Sequence, residues 1–98
     1  MELTFRSNHL LRCAEDFDAA ARAWGPAVAA VYHRHIGILL AAGSFEGLFR
    51  YRVLRLHPLR GRRRGEYAME LAGRWRLIIT REGDATIVIE EVSNHYDD

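Results

Sequence analysis

Residues 66–92, EYAMELAGRWRLIITREGDATIVIEEV, carry the clearest structural pattern in this 98-residue chain. Apolar and polar residues alternate through most of it with the period of two that is typical of half-buried β-strands. Two short interruptions, Ala72-Gly73 and residues 82–84 (EGD), have the composition of turns. We therefore predict an antiparallel meander of strands in the second half of the chain.

The alternation also assigns the two faces of this sheet. Trp75, Leu77 and Ile79 fall on one face of the central strand, and Arg74 and Arg76 fall on the other. Because apolar side chains gain most from burial, we expect helices to cover the first face and leave the second open to solvent.

The residues before this sheet predict one short strand and two helices. LTFR, residues 3–6, alternates like a strand, and Ser7 or Asn8 can cap the helix that follows. Apolar residues recur at helical spacing up to Trp24, and Gly25-Pro26 ends this helix and begins a second one. Gly43-Ser44 closes the second helix, and residues 44–49 (SFEGLF) can form one helical turn.

The alternation in residues 53–58 (VLRLHP) predicts a further strand, which Pro58 ends or places at a sheet edge. Together these elements predict an α+β fold in one domain over residues 1–98, with an N-terminal helical hairpin packed on one face of a small antiparallel β-sheet.

Positive charge is concentrated in the middle of the chain. The whole chain has 14 basic and 13 acidic residues, a net charge of +1. The segment 50–64 nevertheless contains no acid and seven arginines, which suits a polyanionic partner. They are Arg50, Arg52, Arg55, Arg60, Arg62, Arg63 and Arg64.

Other features limit the class of protein. The N-terminus lacks a signal-peptide pattern, and the longest apolar run, residues 36–43, is too short to cross a bilayer. The single cysteine, Cys13, excludes an internal disulfide, and no Cys/His cluster has the spacing of a metal site. We expect a cytoplasmic protein with no membrane attachment, no metal and no cofactor.

The open face of the sheet is predicted to gather guanidinium, imidazole and phenol groups. Arginine binds phosphate and stays charged, whereas histidine and tyrosine can transfer protons or stack on bases. RNA can be cleaved without a metal, because its own 2′-OH can attack the adjacent phosphate when a base, cations and an acid are supplied. The side chains concerned include Arg55, His57, Arg74, Arg76, the arginine loop at residues 61–65 (GRRRG), His95 and Tyr96.

A longer motif, RLHPLRGRRRGEYAMEL at residues 55–71 followed by RWRLII at residues 74–79, resembles the RelE/ParE superfamily of bacterial toxins. The resemblance is greatest to its HigB-like branch, the plasmid-maintenance killer proteins, and covers residues 54–96 best. It implies a small α+β toxin that enters the ribosomal A site and cleaves mRNA there. A cognate antitoxin, in this branch usually a helix-turn-helix protein of the HigA type, is the implied partner.

The resemblance also implies roles for single residues. Arg60 and Arg76 would stabilise the phosphate, and His57 would transfer a proton or position the substrate. The family often has lysine where Arg60 stands, and arginine can act there only electrostatically. The usual tail of Asp-Tyr-His is replaced by residues 93–96 (SNHY), so either His95 or Tyr96 takes the place of the family histidine.

The predicted site therefore has two parts. The catalytic set consists of His57, Arg60, Arg76, His95 and Tyr96. The set that binds RNA or the ribosome consists of Arg55, Arg62, Arg63, Arg64, Arg74 and Tyr67.

Three other functions fit the same residues. A ParE-like gyrase poison needs no catalytic groups, a non-catalytic module could dock an acidic protein on its basic face, and a toxin with an altered tail could be inactive. Structural interpretations also stay open, since Arg76 can pair with Glu70 or Glu90 across the sheet and His57 can simply cap a strand end. An antitoxin could also dock on apolar residues such as Leu48 and Phe49.

Overall fold

The computed structural model describes residues 1–94 and has an α+β architecture, as the sequence predicts. Three helices pack on one face of a five-stranded sheet. The helices are α1 (Asn8–Glu15), α2 (Phe17–Trp24) and α3 (Pro26–Ala41). The strands are β1 (Glu2–Phe5), β2 (His57–Pro58), β3 (Tyr67–Glu70), β4 (Arg76–Glu82) and β5 (Thr86–Ser93). Short 3₁₀ helices span Glu46–Arg50, Arg52–Leu54 and Gly61–Arg63.

The sheet is mixed, which corrects the prediction of an antiparallel sheet. Its strand order is β1-β5-β4-β3-β2, and β2 to β5 form the predicted antiparallel meander. The exception is β1, which pairs with β5 in parallel. The meander starts at the far edge and returns with β5 beside β1, so both strands run in the same direction.

Three helices stand where two were predicted, because the first predicted helix is broken at Asp16. Asp16 has extended backbone angles, and its side chain accepts a hydrogen bond from the N–H of Asp18, which makes it the N-cap of α2. Ser7 caps α1 in the same way, since its hydroxyl accepts from the N–H of Leu10. Gly25, with φ of 87°, makes the predicted turn into α3.

The core lies between the helices and the predicted face of the sheet. Leu77 and Ile79 are fully buried there against Tyr32 and Leu39 of α3, and Trp75 packs at the edge of the same cluster. This assignment of the buried face is therefore confirmed. None of the helices in residues 1–94 is long and apolar enough to cross a membrane.

A buried histidine ties α3 to the sheet. His35 is completely buried, and its Nε2–H donates to the carbonyl of Glu70 in β3 at 2.9 Å. Its Nδ1 has no partner among the described residues. Burial lowers the pKa of His35 below its ordinary value, so the neutral ring is the form that fits this position.

The strand predicted for residues 53–58 is mostly wrong. Only His57 and Pro58 pair with β3, and the residues before them form a 3₁₀ turn. The turn ends at Arg55, whose φ of 50° and ψ of 43° place it in the left-handed region. That conformation breaks the alternation, so the six residues share no single strand direction.

A β-bulge redirects the end of β5. Ile78 pairs with Glu91 but its neighbour Ile79 pairs with Ile89, which leaves Glu90 as the extra residue. Because of this insertion, Glu91 lies opposite Ile78 on the face away from the helices. Val92 lies opposite Leu77 and packs towards the core.

Candidate functional site

The face of the sheet away from the helices carries the candidate site. The register aligns His57 of β2, Ala68 of β3, Ile78 of β4 and Glu91 of β5 in one row across it. Residues paired in this way point to the same side of a sheet. Ala68 and Ile78 form a small buried cluster with Leu59, and no helical residue belongs to that cluster.

The neighbouring row places Arg76 between Glu70 and Ser93. Its guanidinium nitrogen Nη1 donates to the carbonyl of Trp75 at 3.0 Å and reaches that of Gly73 at 3.4 Å. Among the described residues no carboxylate forms an ion pair with Arg76, although Glu70 lies beside it in the register. The proposed pairing of Arg76 with Glu70 or Glu90 is therefore wrong, and no carboxylate of residues 1–94 neutralises its guanidinium.

His57 is exposed and has a defined orientation. Its Nδ1 lies 2.9 Å from the carbonyl oxygen of Arg55, a contact that requires a hydrogen on Nδ1. In the neutral ring, Nε2 is then the unprotonated nitrogen and can accept a proton. The left-handed backbone of Arg55 brings this carbonyl back towards the ring two residues later.

The arginine loop is held to the sheet by Arg63. Its Nη2 donates to Oε1 of Glu66 at 2.7 Å and to Oε1 of Glu91 at 2.6 Å, and its Nε also donates to Glu66. The hydrogen bonds to Glu66 raise the pKa of the Arg63 guanidinium further, which keeps it charged. Since Glu91 lies on β5, Arg63 reaches across β3 and β4, and the loop folds back over the centre of this face.

The other two arginines of this loop, Arg62 and Arg64, and the preceding Arg60 stay exposed. Within residues 1–94, Arg60, Arg62 and Arg64 have no carboxylate within ion-pair distance. Arg74 is exposed in the turn before β4. The loop and this turn therefore expose guanidinium groups to solvent around the centre of the sheet face, which Arg63 and its carboxylate partners cover.

Tyr67 is not brought to this face. It lies in β3 among the residues that pack against the helix side, and its ring centroid is 4.8 Å from that of Phe45. His95 and Tyr96, the two predicted tail residues, lie outside the described residues.

Two carboxylates on this face, Glu66 and Glu91, were missed from the sequence, whereas Glu70 and Glu90 were expected there as partners of Arg76. Besides Glu66 and Glu91, Glu70 lies 3.9 Å from Arg55, and Glu90 accepts two hydrogen bonds of 2.9 Å from Arg6 and one of 2.6 Å from Thr80. The Arg6 hydrogen bonds hold the pKa of Glu90 below its ordinary value. The spacing of three residues between Arg63 and Glu66 could have predicted their ion pair. The bulge that turns Glu91 outward could not have been predicted from the sequence.

An open cleft of about 510 Å³ adjoins His57 at the β2 edge of the sheet. It combines aromatic, cationic and acidic side chains, which are Phe49, Tyr51, Arg52, Arg55, Leu56, His57 and Glu70. Within residues 1–94, no three His, Cys, Asp or Glu side chains lie close enough together to hold a metal ion.

Comparisons with known proteins agree with the architecture. No family model matches the chain, and no curated protein matches it. Among solved structures, the chain is similar to the YoeB/ParE toxin from Agrobacterium tumefaciens, with 14% sequence identity and a TM-score of 0.55. The similarity covers 98% of this chain and 100% of that one. The chain thus has the fold of a RelE/ParE-type toxin.

Proposed function

We propose that this chain is the toxin of a toxin–antitoxin pair and cleaves mRNA on the ribosome. The observation that carries the proposal is a guanidinium and an imidazole on the same face of the sheet. Within residues 1–94, Arg76 forms no ion pair with a carboxylate, and His57 has one ring nitrogen fixed by a backbone carbonyl while no hydrogen bond of the other is seen. The fold shared with a YoeB/ParE toxin supports the toxin role. The motif at residues 55–79 supports the HigB-like branch.

The proposed reaction uses the RNA's own 2′-OH as nucleophile. The 2′-oxygen gives its proton to a base and bonds to phosphorus, the P–O5′ bond breaks, and the leaving oxygen takes a proton. Products are a 2′,3′-cyclic phosphate and a 5′-hydroxyl. Nε2 of His57 can accept the first proton or, once protonated, deliver the second.

Arginines supply the electrostatic part of this proposal. Arg76 and Arg60 stabilise the phosphate as charge builds on its oxygens, a task for fixed cations that need no proton exchange. We assign Arg55, Arg62, Arg64 and Arg74 to the backbones of mRNA and ribosomal RNA.

Arg63, His95 and Tyr96 have more limited roles in the proposal. Arg63 reaches the same surface while it holds the loop. His95 or Tyr96 is the candidate for the remaining proton transfer.

The antitoxin in this proposal is a helix-turn-helix protein of the HigA type. Arginines without ion-pair partners favour an acidic segment, so binding should weaken with salt. The suggested apolar contact through Leu48 does not fit, because Leu48 is fully buried. Phe49 is exposed and can still contribute.

A reconstituted translation system tests the proposal. Wild type should cleave a translated mRNA and leave 5′-hydroxyl ends, and Arg76→Ala should lose at least about a hundredfold in rate, as for other electrostatic stabilisers. Arg76→Lys should recover little, since lysine cannot bind phosphate in the bidentate manner. Arg22→Ala, an exposed change on α2, is the charge-matched control and should cleave like wild type.

Intact mRNA with wild type would refute the proposal. A DNA supercoiling assay then distinguishes a gyrase poison, which alters supercoiling, from a binding module or an inactive toxin, which does not. If cleavage occurs and Arg76→Lys is fully active, the phosphate role of Arg76 is wrong.

A further inference from the structure

The segment before β2 exposes an unusual amount of apolar surface. Leu48 and Leu54 are completely buried and anchor it at both ends. Between them, Phe49, Tyr51 and Val53 are 47%, 42% and 47% exposed. Large apolar side chains that lie together on a surface often mark a binding site.

The backbone that carries these exposed rings is held in place. The N–H of Tyr51 donates to the carbonyl of Leu48 at 3.1 Å, and the carbonyl of Tyr51 accepts from Leu54 at 3.0 Å. Phe49 packs edge-to-face on the buried Phe45 at a centroid distance of 5.9 Å. A ring that is already packed, as that of Phe49 is, loses little conformational entropy when a ligand stacks on it.

The cleft beside these rings has the charge that a nucleotide needs. Phe49 and Tyr51 line it together with Arg52, Arg55 and His57. Its one carboxylate, Glu70, lies 3.9 Å from Arg55, beyond ordinary hydrogen-bond length, so its oxygens can still accept from a base. Aromatic side chains next to arginines are the usual elements of single-strand binding, where bases stack and phosphates meet cations.

We propose that this cleft binds one unpaired nucleotide of RNA, with its base on Tyr51 and Phe49 and its phosphate on Arg52. The inference rests on the proposed function, because His57 forms one wall of the cleft and the bound nucleotide would be a neighbour of the cleaved bond. The volume of about 510 Å³ is in the range of small-molecule sites. The lining has two arginines, one imidazole and one carboxylate, a composition that favours a nucleotide over a purely apolar protein segment.

Fluorescence anisotropy with a labelled short oligouridylate tests the inference at about 50 mM salt. Tyr51→Ala should weaken binding at least about fivefold, whereas Tyr51→Phe should keep it, because the ring and not the hydroxyl stacks. Val53→Ala is the matched control, since Val53 is equally exposed on the same segment but does not line the cleft. Circular dichroism verifies that each variant is folded.

An abasic oligomer of the same length tests the ligand side. Wild type should bind it more weakly than oligouridylate, and Tyr51→Ala should narrow this difference, since only Phe49 is then left for a base to stack on. No wild-type binding, or unchanged binding by Tyr51→Ala, would overturn the inference. So would variants that bind RNA normally but escape an antitoxin, because the rings would then serve a protein contact.

Binding and cleavage can fail separately. If wild type cleaves no mRNA but its RNA binding depends on Tyr51, the proposed function is refuted and the subsite stands. If it cleaves mRNA with no dependence of binding on Tyr51, the subsite is refuted and the proposed function stands.

Discussion

Replacement of Arg63 tests how the arginine loop is held on the sheet. Arg63 is adjacent to Arg62 and Arg64 in the sequence, yet its guanidinium bonds to Glu66 and Glu91. Arg63→Gln removes both ion pairs and leaves two carboxylates facing each other without a cation. Arg62→Gln removes the same charge from the same loop but breaks no ion pair within residues 1–94.

The expected cost follows from the exposure of the partners. The side chains of Arg63, Glu66 and Glu91 are 31%, 30% and 45% exposed, so solvent screens each pair in part. Partly exposed ion pairs contribute about 0.2–1 kcal/mol each, and the two contacts to Glu66 put this cluster near the upper end. We expect Arg63→Gln to lower the free energy of unfolding by about 1–2 kcal/mol and Arg62→Gln by less than about 0.5 kcal/mol.

Thermal unfolding followed by circular dichroism measures both variants. For a domain of this size, 1 kcal/mol corresponds to roughly 4–8 °C in Tm. The Tm of Arg63→Gln should fall by at least about 4 °C, and the difference from Arg62→Gln should shrink at high salt. Equal melting of the two variants would refute the assignment of Arg63 to the loop's attachment.

Two pH dependences follow from groups held by the fold. Glu90 has a pKa below its ordinary 4.5, mainly because of its hydrogen bonds to Arg6. Its contribution to the stability of the fold is therefore complete well above pH 4.5 and is lost as the pH falls through the lowered pKa. The Tm of Glu90→Gln should lie below that of wild type at pH 7, by a margin that narrows towards pH 3. A margin independent of pH would contradict this. Burial lowers the pKa of His35 from 6.5 in the folded protein, so the unfolded chain is protonated at a higher pH than the folded one. As the pH drops below 6.5, the free energy of unfolding should therefore fall by up to about 1.4 kcal/mol per pH unit. His35→Gln should lack this slope in urea titrations between pH 7 and pH 5, and an unchanged slope would show that other groups cause it.

Local patterns predicted the parts of the fold that depend on nearest neighbours. The alternation around Leu77 identified β4 and its buried face, and Gly25-Pro26 marked the turn between two helices. The break at Asp16 was missed because the apolar spacing continues through it, while the capping side chain competes with the helix. The parallel pairing of β1 was missed because it depends on where the chain returns, not on β1 itself.

The sequence predicted the kinds of residue that lie in the candidate site but not the ion pairs that they form. Arg76 and His57 were placed on one face by sequence alternation and motif, and the sheet register places them there. Arg63 forms an ion pair with Glu91, whereas Arg62 does not pair with it. This difference depends on the bulge at Glu90, which turns Glu91 towards the loop. A bulge inserts one residue into a regular pattern, and no residue type in this strand signals it.

The arginines of segment 50–64 have more than one role in this fold. Arg63 fastens the loop, Arg55 supplies the carbonyl that fixes the ring of His57, and Arg52 lines the cleft. Arg60, Arg62 and Arg64 are exposed to solvent. A near-neutral chain can therefore present a strongly cationic surface without a large net charge.

The most direct test of the central claim is to map 5′ ends on a reporter mRNA in bacterial cells that express wild type, Arg76→Ala or His95→Ala. We predict cuts in phase with codons for wild type and none for Arg76→Ala, and the His95→Ala sample reports whether the tail transfers a proton. An intact reporter during growth arrest by wild type, or the same cuts with Arg76→Ala, would contradict the account.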